Sequence, residues 1–400
     1  MKSMLTVLLF STTYLAHAQV SGNAAWPTKG WPDASPSAVA IDEKSLTAFD
    51  ADLASGKYPL VDSMLVIRCG QRVFDRKHAH DYGKIYAKEA HEKGPLNARL
   101  TGPYNYFDPA WHPYYHGTDE HTMQSVSKTV TSVTLGIAIT RKDFTAGLDT
   151  PVLTYFDPSK VANVDDRKRR MTIRDVLTMT TGLDWDEETP YADPRNAASL
   201  MEATDDWVQF VIDRPMAHDP GSVFAYSSGA TELLAYIFKK QTGQDIEEYA
   251  KKYLFTPLGI EHYFWKRNPA GMVDTEGGLY LRAEDLAKIG YLFLHGGMWA
   301  GKQIVSADWV KESLIPRVDT NEGAKYGFQW WLFSHGDPPQ LTWTALGFGG
   351  QRLLVFPEDD LIVVFTAWDI LGNDSFETRD AIARLLPGVH PYKCGSPSQP

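Results

Sequence analysis

The stretch MQSVSKTVTSVTLGIAI, residues 123–139, decides the fold prediction, because it combines a buried-helix pattern with two polar groups. Its apolar residues recur at helical spacing, at Val126, Val130, Val133 and Ile137. Ser125 and Lys128 lie one turn apart on a neighbouring face, where a lysine needs a partner. A serine nucleophile whose proton is taken by a lysine uses this spacing, and burial favours the neutral amine that acts as the base. The Ser125 amide, at a helix N-terminus, is placed to bind an oxyanion.

As a bare pattern, S-x-x-K also arises by chance in a long chain. The alternative interpretation is a capping serine beside a lysine that extends to water. The rest of the sequence has to decide between the two.

The segments around this helix predict a mixed fold. Residues 42–55 have a helical pattern, and residues 62–75 predict two strands joined at Cys69-Gly70. Further helical patterns lie at 125–141, 172–180, 199–213, 229–241, 245–253 and 283–295, and strand patterns return in YGFQWWLF, LTWTAL, QRLLVF and LIVVFTAW before a helix at about 374–386. We therefore predict an α+β fold, in which both chain ends build one antiparallel sheet with flanking helices around a mainly helical insert. Such a junction favours a cleft.

The N-terminus predicts export. Residues 1–18, MKSMLTVLLFSTTYLAHA, combine Lys2, a short apolar run and a small-x-small cleavage site, which is typical of a signal peptide. The run is shorter than the roughly 20 residues that span a membrane, so no membrane span is expected. The mature protein is expected in the periplasm or outside the cell, as a single catalytic unit over residues 19–400. Its predicted parts are sheet regions at about 40–75 and 325–390, a helical region at about 121–320 and an irregular, aromatic and His-rich insertion at about 76–120.

Composition excludes several classes of protein. The 400 residues are 43% hydrophobic and 22% charged, which fits a globular chain with a sizeable core. The formal net charge of −11 and the lack of a Lys/Arg tract exclude a nucleic-acid footprint. Cys69 and Cys394 allow one disulfide in an oxidising compartment, but the sequence leaves the pairing open, as it does the oligomeric state.

Motifs along most of the chain point to a known family. They are MQSVSKTVTSVTLGIAI, GLDTPVLTYF, MTIRDVLTMTTGLDW, PGSVFAYSSGATELLAYI, YLFTPLGI, GGLYLRAEDLAKIGYLFLHGGMWAGKQIVSADWV and ALGFGGQRLLVFPEDDLIVVF. In this order, over about residues 40–386, the chain closely resembles the penicillin-recognising serine hydrolases of the class C β-lactamase type. That group includes esterases, D-alanyl carboxypeptidases and 6-aminohexanoate-dimer hydrolases. The resemblance implies the α+β fold just described.

The resemblance also implies roles for individual residues. The nucleophile falls on Ser125, the lysine base on Lys128, and the tyrosine of the Tyr-x-Asn motif on Tyr226, which would relay a proton to the leaving group. Ser228 stands where the family has Asn. The oxyanion donors would be the backbone amides of Ser125 and Gly350.

The third motif of the family departs most from its pattern. It falls on Gly347-Phe348-Gly349, where the basic first residue is missing. These three residues and Ser228 are the predicted substrate contacts. Arg352 follows closely, but the direction of its side chain cannot be predicted from the strand pattern.

The aromatic residues of the insertion have two open interpretations. They are Tyr104, Tyr106, Phe107, Trp111, Tyr114 and Tyr115. Since the segment leads directly into Ser125, they either line the cleft, with Tyr104 and Trp111 as the candidate contacts, or form a local core.

Three further patterns suggest other chemistry. The string Ala225–Gly229 imitates a nucleophile elbow with Ser227 as nucleophile, but the chain lacks the alternating order of strands and helices of an α/β-hydrolase. The histidines do not form a metal motif and are expected on surface loops: His78, His80, His112, His116 and His121. The acids Asp184, Asp186, Glu187 and Glu188 are expected in a solvated loop.

The sequence therefore predicts a serine hydrolase that acts through an acyl-enzyme on a small ester or amide, without metal or cofactor. The alternative is a catalytically weak, penicillin-binding-like protein that binds cell-wall peptides.

Overall fold

The computed structural model describes residues 26–372 and 376–395, and its centre is an eight-stranded antiparallel sheet. The strands of the chain are β1 (Val61–Arg68), β2 (Gln71–Lys77), β3 (His121–Thr122), β4 (Phe264–Trp265), β5 (Leu279–Leu281), β6 (Met298–Trp299), β7 (Lys302–Gln303), β8 (Val318–Asp319), β9 (Lys325–Tyr326), β10 (Trp331–His335), β11 (Gln340–Gly347), β12 (Gln351–Phe356) and β13 (Leu361–Ala367). The large sheet has the order β2-β1-β13-β12-β11-β10-β9-β8, so that its first two strands pair with the last. The prediction of one sheet from both chain ends is confirmed.

Helices cover both faces of this sheet. All residues of β1, β12 and β13 are buried, whereas a sheet with one solvated face would alternate. On one face, the Phe49 ring lies 5.7 Å from that of Phe365. On the other, a Cβ at Gly290 would lie 3.0 Å from Val355, which pairs with Ile362. Phe365 and Ile362 point to opposite sides of β13. The helix that contains Phe49 and the helix that contains Gly290 therefore cover opposite faces of the sheet.

Most helices of the described residues lie between β2 and β8 in sequence, whereas the first precedes β1 and the last follows β13. The helices are α1 (Glu43–Ala54), α2 (Tyr82–Ile85), α3 (Val126–Thr140), α4 (Asp166–Arg170), α5 (Ile173–Leu177), α6 (Ala197–Glu202), α7 (Trp207–Ile212), α8 (Ser228–Thr242), α9 (Ile246–Ala250), α10 (Thr256–Leu258), α11 (Ala283–Leu294), α12 (Ala307–Ser313) and α13 (Thr378–Leu385). The single helix predicted at 199–213 is two, because Asp206 caps a new helix with its side chain.

Helix α3 runs through the core. Its residues from Val126 to Ala138 are buried, as the apolar spacing predicts. It packs closely on α12, because a Cβ at Gly136 would lie only 2.2 Å from the Trp309 ring. This burial fixes the end of the helix at which Ser125 lies.

A disulfide bond joins the turn between β1 and β2 to the segment after α13. Cys69 and Cys394 form a disulfide, which the sequence had left open. Disulfide bonds persist in oxidising compartments, such as those that exported proteins reach. The exported location of this protein stays a prediction. The predicted signal peptide lies outside the described residues. Among those residues, no helix is both long and apolar enough to cross a membrane.

The insertion at about 76–120 contains only short helical turns between β2 and β3. Part of the insertion packs with Trp368 and Ile370 in a small second core. Its members from the insertion are Tyr82, Tyr86, Leu96, Tyr106 and Phe107. The expectation that the histidines lie on surface loops is wrong for two of them. His112 is buried against Trp368, with ring centroids 5.0 Å apart, and His121 is buried with Nε2 3.0 Å from the Asp62 carboxylate.

Candidate active site

Ser125 occupies the N-cap position of α3, with its side chain half-buried. The preceding residue, Gln124, has φ = +47°, a left-handed conformation that costs free energy in a residue with a side chain. The turn at Gln124 brings the chain from β3 into the helix, so that Ser125 faces a cleft. No backbone carbonyl of the described residues accepts a hydrogen bond from its amide, which leaves the amide available to an oxyanion.

Lys128 is the group closest to the Ser125 hydroxyl. Its Nζ donates to Ser125 Oγ over 2.7 Å and to the backbone carbonyl of Glu276 over 2.7 Å. The Glu276 carboxylate lies 3.5 Å from the same nitrogen. Only 1% of Lys128 is exposed, so the lysine does not extend to water as a surface lysine would. The helix period thus places a buried amine against a serine hydroxyl.

Tyr226 covers the same pair from the segment before α8. Its ring centroid lies 5.2 Å from Lys128 Nζ. Burial and the charge of Glu187 hold the pKa of Tyr226 well above its usual range, while a hydrogen bond with Ser125 lowers it. Tyr226 is therefore a neutral phenol at physiological pH, suited to passing a proton on rather than to acting as a fixed anion.

Two cavities meet at Ser125. The larger, of about 680 Å³, is bounded by Tyr226, the segment 187–191 and the end of the sheet from Leu346 to Arg352. The smaller, of about 20 Å³, is lined by Glu202 and Glu276 and shares Tyr191 and Phe348 with the larger one. The nucleophile thus borders a substrate-sized cleft and an adjacent water-sized space.

The third motif borders the cleft, as a sharp turn after β11. Gly347, Phe348 and Gly349 all line the larger cavity. A Cβ at Gly347 would lie 2.3 Å from the Met123 carbonyl oxygen, so the strand lies too close to the nucleophile segment for any side chain at this position. Packing therefore excludes the basic residue that the sequence lacks here.

The assignment of Gly350 as an oxyanion donor needs correction. Its amide donates to the Gly347 carbonyl over 3.1 Å and closes the turn. The Phe348 and Gly349 amides of the same turn have no backbone acceptor among the described residues. These two amides are therefore available as hydrogen-bond donors at the edge of the cleft.

Ser228 does not reach into the cleft. It is fully buried, and its hydroxyl and amide donate to the Glu187 carboxylate over 2.6 and 2.7 Å. Trp185 Nε1 and the Tyr191 hydroxyl also donate to Glu187. The expectation of a solvated acidic loop is thus wrong for Glu187, whereas Asp184, Asp186 and Glu188 are exposed. Four donors fix a carboxylate at the wall of the cleft beside Tyr226.

The two aromatic residues predicted to contact substrate lie elsewhere. Neither Tyr104 nor Trp111 lines either of the two cavities. The Tyr104 hydroxyl donates to Asp274 over 3.2 Å, and the Trp111 ring packs on Phe264. Tyr106 from the same insertion does line the smaller cavity, and it donates to Glu202.

The charges that line the larger cleft are mostly negative. Its carboxylates are Glu187, Glu188, Glu322, Asp369 and Glu377, and its cations are Arg352 and Arg379. Arg352 is only 4% exposed and donates to the Gly350 carbonyl over 3.0 Å and to the Phe376 carbonyl. The Arg352 guanidinium therefore binds backbone carbonyls of the turn and of the segment after β13. It does not replace the missing basic residue.

Glu276 and Glu202 are two residues near the nucleophile that sequence reasoning missed. Both are almost completely buried, at 6% and 9% exposure. Burial and the nearby Glu276 charge hold the pKa of Glu202 well above its usual range. No motif marks either residue, since each comes from a segment far from Ser125 in sequence.

The competing nucleophile Ser227 has a structural role. It is buried, and its hydroxyl accepts a hydrogen bond from the Ala230 amide over 3.1 Å as the N-cap of α8. The antiparallel sheet also differs from that of an α/β-hydrolase.

Comparisons with known proteins agree with the fold. A family model described as Beta-lactamase matches residues 63–386. The 6-aminohexanoate-dimer hydrolase of Paenarthrobacter ureafaciens is 26% identical over 279 residues, which cover 62% of this chain and 67% of that enzyme. The solved structure of a family VIII carboxylesterase superposes with a TM-score of 0.61 at 14% identity, over 86% of this chain and 96% of that one. A D-stereospecific amidohydrolase from Streptomyces sp. has a TM-score of 0.61 at 15% identity, over 87% and 100% of the two chains.

Proposed function

The chain belongs to the beta-lactamase family of hydrolases, and from this premise we propose that it is a serine hydrolase that forms an acyl-enzyme on Ser125. The observation that carries the proposal is the 2.7 Å contact between Lys128 Nζ and Ser125 Oγ, made by a lysine that is 1% exposed. A buried amine in contact with a hydroxyl is the arrangement that activates a serine without histidine.

The first half-reaction follows from the three side chains. Lys128 takes the Ser125 proton while Oγ attacks the acyl carbon. The carbonyl oxygen becomes an oxyanion that accepts from the Ser125 amide and from an amide of the turn at Phe348 and Gly349. Tyr226, a neutral phenol against Ser125, passes the proton to the departing alcohol or amine.

The substrate class follows from the charges of the cleft. Gly347 cannot carry a basic side chain, Arg352 is engaged by the protein, and the fixed Glu187 carboxylate lies beside Tyr226. The larger cleft carries five carboxylates against Arg352 and Arg379, so a substrate carboxylate would meet mostly negative charge. The proteins named as a carboxylesterase and a D-stereospecific amidohydrolase support an ester or small amide instead.

We predict that a short-chain nitrophenyl ester is turned over with a higher kcat/KM than nitrocefin, a cephalosporin that carries a carboxylate. A hydrogen bond to a charged group contributes about 1.5–3 kcal/mol, so its loss costs about 10- to 100-fold in kcat/KM. Steady-state kinetics with both substrates on one preparation measure the ratio, with Ser125→Ala as the blank for both.

Efficient nitrocefin turnover that exceeds ester turnover would mean that another residue holds the carboxylate. If neither these substrates nor short nitroanilides are turned over by the folded protein, the penicillin-binding-like alternative gains support.

A further inference from the structure

The smaller cavity has the size and lining of a site for one water molecule. Its volume is about 20 Å³, and on the same measure a water needs about 10–15 Å³ and two to four polar partners. Ser125, Ser199, Glu202 and Glu276 all contribute to its lining, beside aromatic walls. A water held here lies beside the nucleophile, next to the larger cleft, with which the cavity shares Ser125, Tyr191 and Phe348.

The second half-reaction of an acyl-enzyme needs such a water and a base for it. Burial and the nearby Glu276 charge raise the pKa of Glu202, which disfavours the carboxylate form that a base needs. Tyr226 is also neutral. Glu276 lies in an ion pair with Lys128, 3.5 Å from its Nζ, and its side chain borders the water-sized cavity.

The position of Glu276 is fixed by the segment that carries it. The amides of Thr275 and Glu276 donate to the Glu232 carboxylate of α8 over 2.8 and 3.2 Å. The Glu276 carbonyl in turn accepts from Lys128. Backbone and side chain of one residue thus hold the lysine, and the carboxylate cannot move far from Ser125.

We propose that the smaller cavity holds the hydrolytic water and that Glu276 is a further catalytic residue, the base for that water. The inference rests on the proposed function. The water oxygen bonds to the acyl carbon, and one water proton goes to the Glu276 carboxylate. The proton on Glu276 then passes to Lys128, and Lys128 donates a proton to Oγ as the bond between the acyl carbon and Ser125 Oγ breaks. Serine, lysine and carboxylate are then restored, and the acid is released.

Other titratable groups surround this pair. Those whose charges act on Glu276 or on its neighbour Glu202 are Tyr104, Tyr106, Tyr191, Tyr226, Glu232, Lys266 and Asp274. None of them lies in contact with both Lys128 and the cavity, so Glu276 is the carboxylate to test.

The test is Glu276→Gln, which keeps the shape and removes the charge. Glutamine leaves Ser125, Lys128 and Tyr226 in place, so acylation should continue. Hydrolysis of the acyl-enzyme should fall by about 10²-fold, as expected when a positioned base is lost. With a nitrophenyl acetate we expect a burst of one nitrophenol per active site, an acetyl adduct in the intact mass, and a fall in kcat much larger than that in kcat/KM. Hydroxylamine, which needs no base, should discharge the adduct.

Asp285→Asn is the matched control, because it breaks another buried carboxylate–lysine pair, with Lys288 at 2.7 Å, which borders neither cavity. It should give no adduct. If Glu276→Gln is poorly folded, Glu276→Asp keeps the charge but withdraws it by one methylene, and should also accumulate adduct. A folded variant in which kcat and kcat/KM fall together, or neither falls, would overturn the role of Glu276. If wild type neither turns over nor acylates, the proposed function itself fails.

Discussion

Lys128→Met is expected to lower kcat/KM for a nitrophenyl ester by about 10²–10⁴-fold, because the proposed base for the Ser125 proton is lost. Methionine keeps the long apolar stem that is buried beside Val130 and the rest of α3. The rate should be measured per folded active site, with circular dichroism to show that the fold is retained.

Lys168→Met is the control for this variant. Lys168 is also fully buried, but its Nζ donates to the carbonyls of Ala162 and Ile212 and borders neither cavity. This substitution is expected to lower stability and leave kcat/KM unchanged. A folded Lys128→Met enzyme that retains the wild-type rate would remove the lysine from the mechanism.

Tyr226→Phe is the second substitution with a large expected effect, a fall in kcat of about 10²–10⁴-fold. The change removes one hydroxyl, and with it the group that passes the proton from the Ser125 side to the leaving group. We expect the loss to be smaller for a nitrophenyl ester than for an alkyl ester, because nitrophenol leaves without a proton donor. Steady-state rates with the two esters measure this difference.

Tyr326→Phe removes another buried hydroxyl close by, on a residue that borders neither cavity, and should leave both rates unchanged. If Tyr226→Phe acts like this control, the second motif has been assigned to the wrong residue.

The parts of the site that the sequence predicts are those set by local geometry. Ser125 and Lys128 are three residues apart, so one turn of helix brings them together whatever the rest of the chain does. The sheet was predictable in the same sense, since strand patterns at both ends of the chain need partners. Tyr226 came from the resemblance, and no pattern of its own marks it.

The parts that the sequence does not predict depend on packing between distant segments. Glu276 reaches Lys128 from 148 positions further along the chain, and Glu187 looks like a solvated acid among Asp184, Asp186 and Glu188. Its burial becomes visible only when α8 and Tyr191 supply their donors. Likewise, the Gly350 amide donates to the Gly347 carbonyl within a turn, and the sequence pattern does not predict this hydrogen bond.

The central claim is that Ser125 is the nucleophile, and covalent labelling tests it most directly. The folded protein is treated with an activated fluorophosphonate, and its intact mass and proteolytic peptides are measured. The account predicts one adduct per chain, located on Ser125, and none in Ser125→Ala. An adduct on Ser227 or another residue, or an adduct that persists in Ser125→Ala, would contradict it.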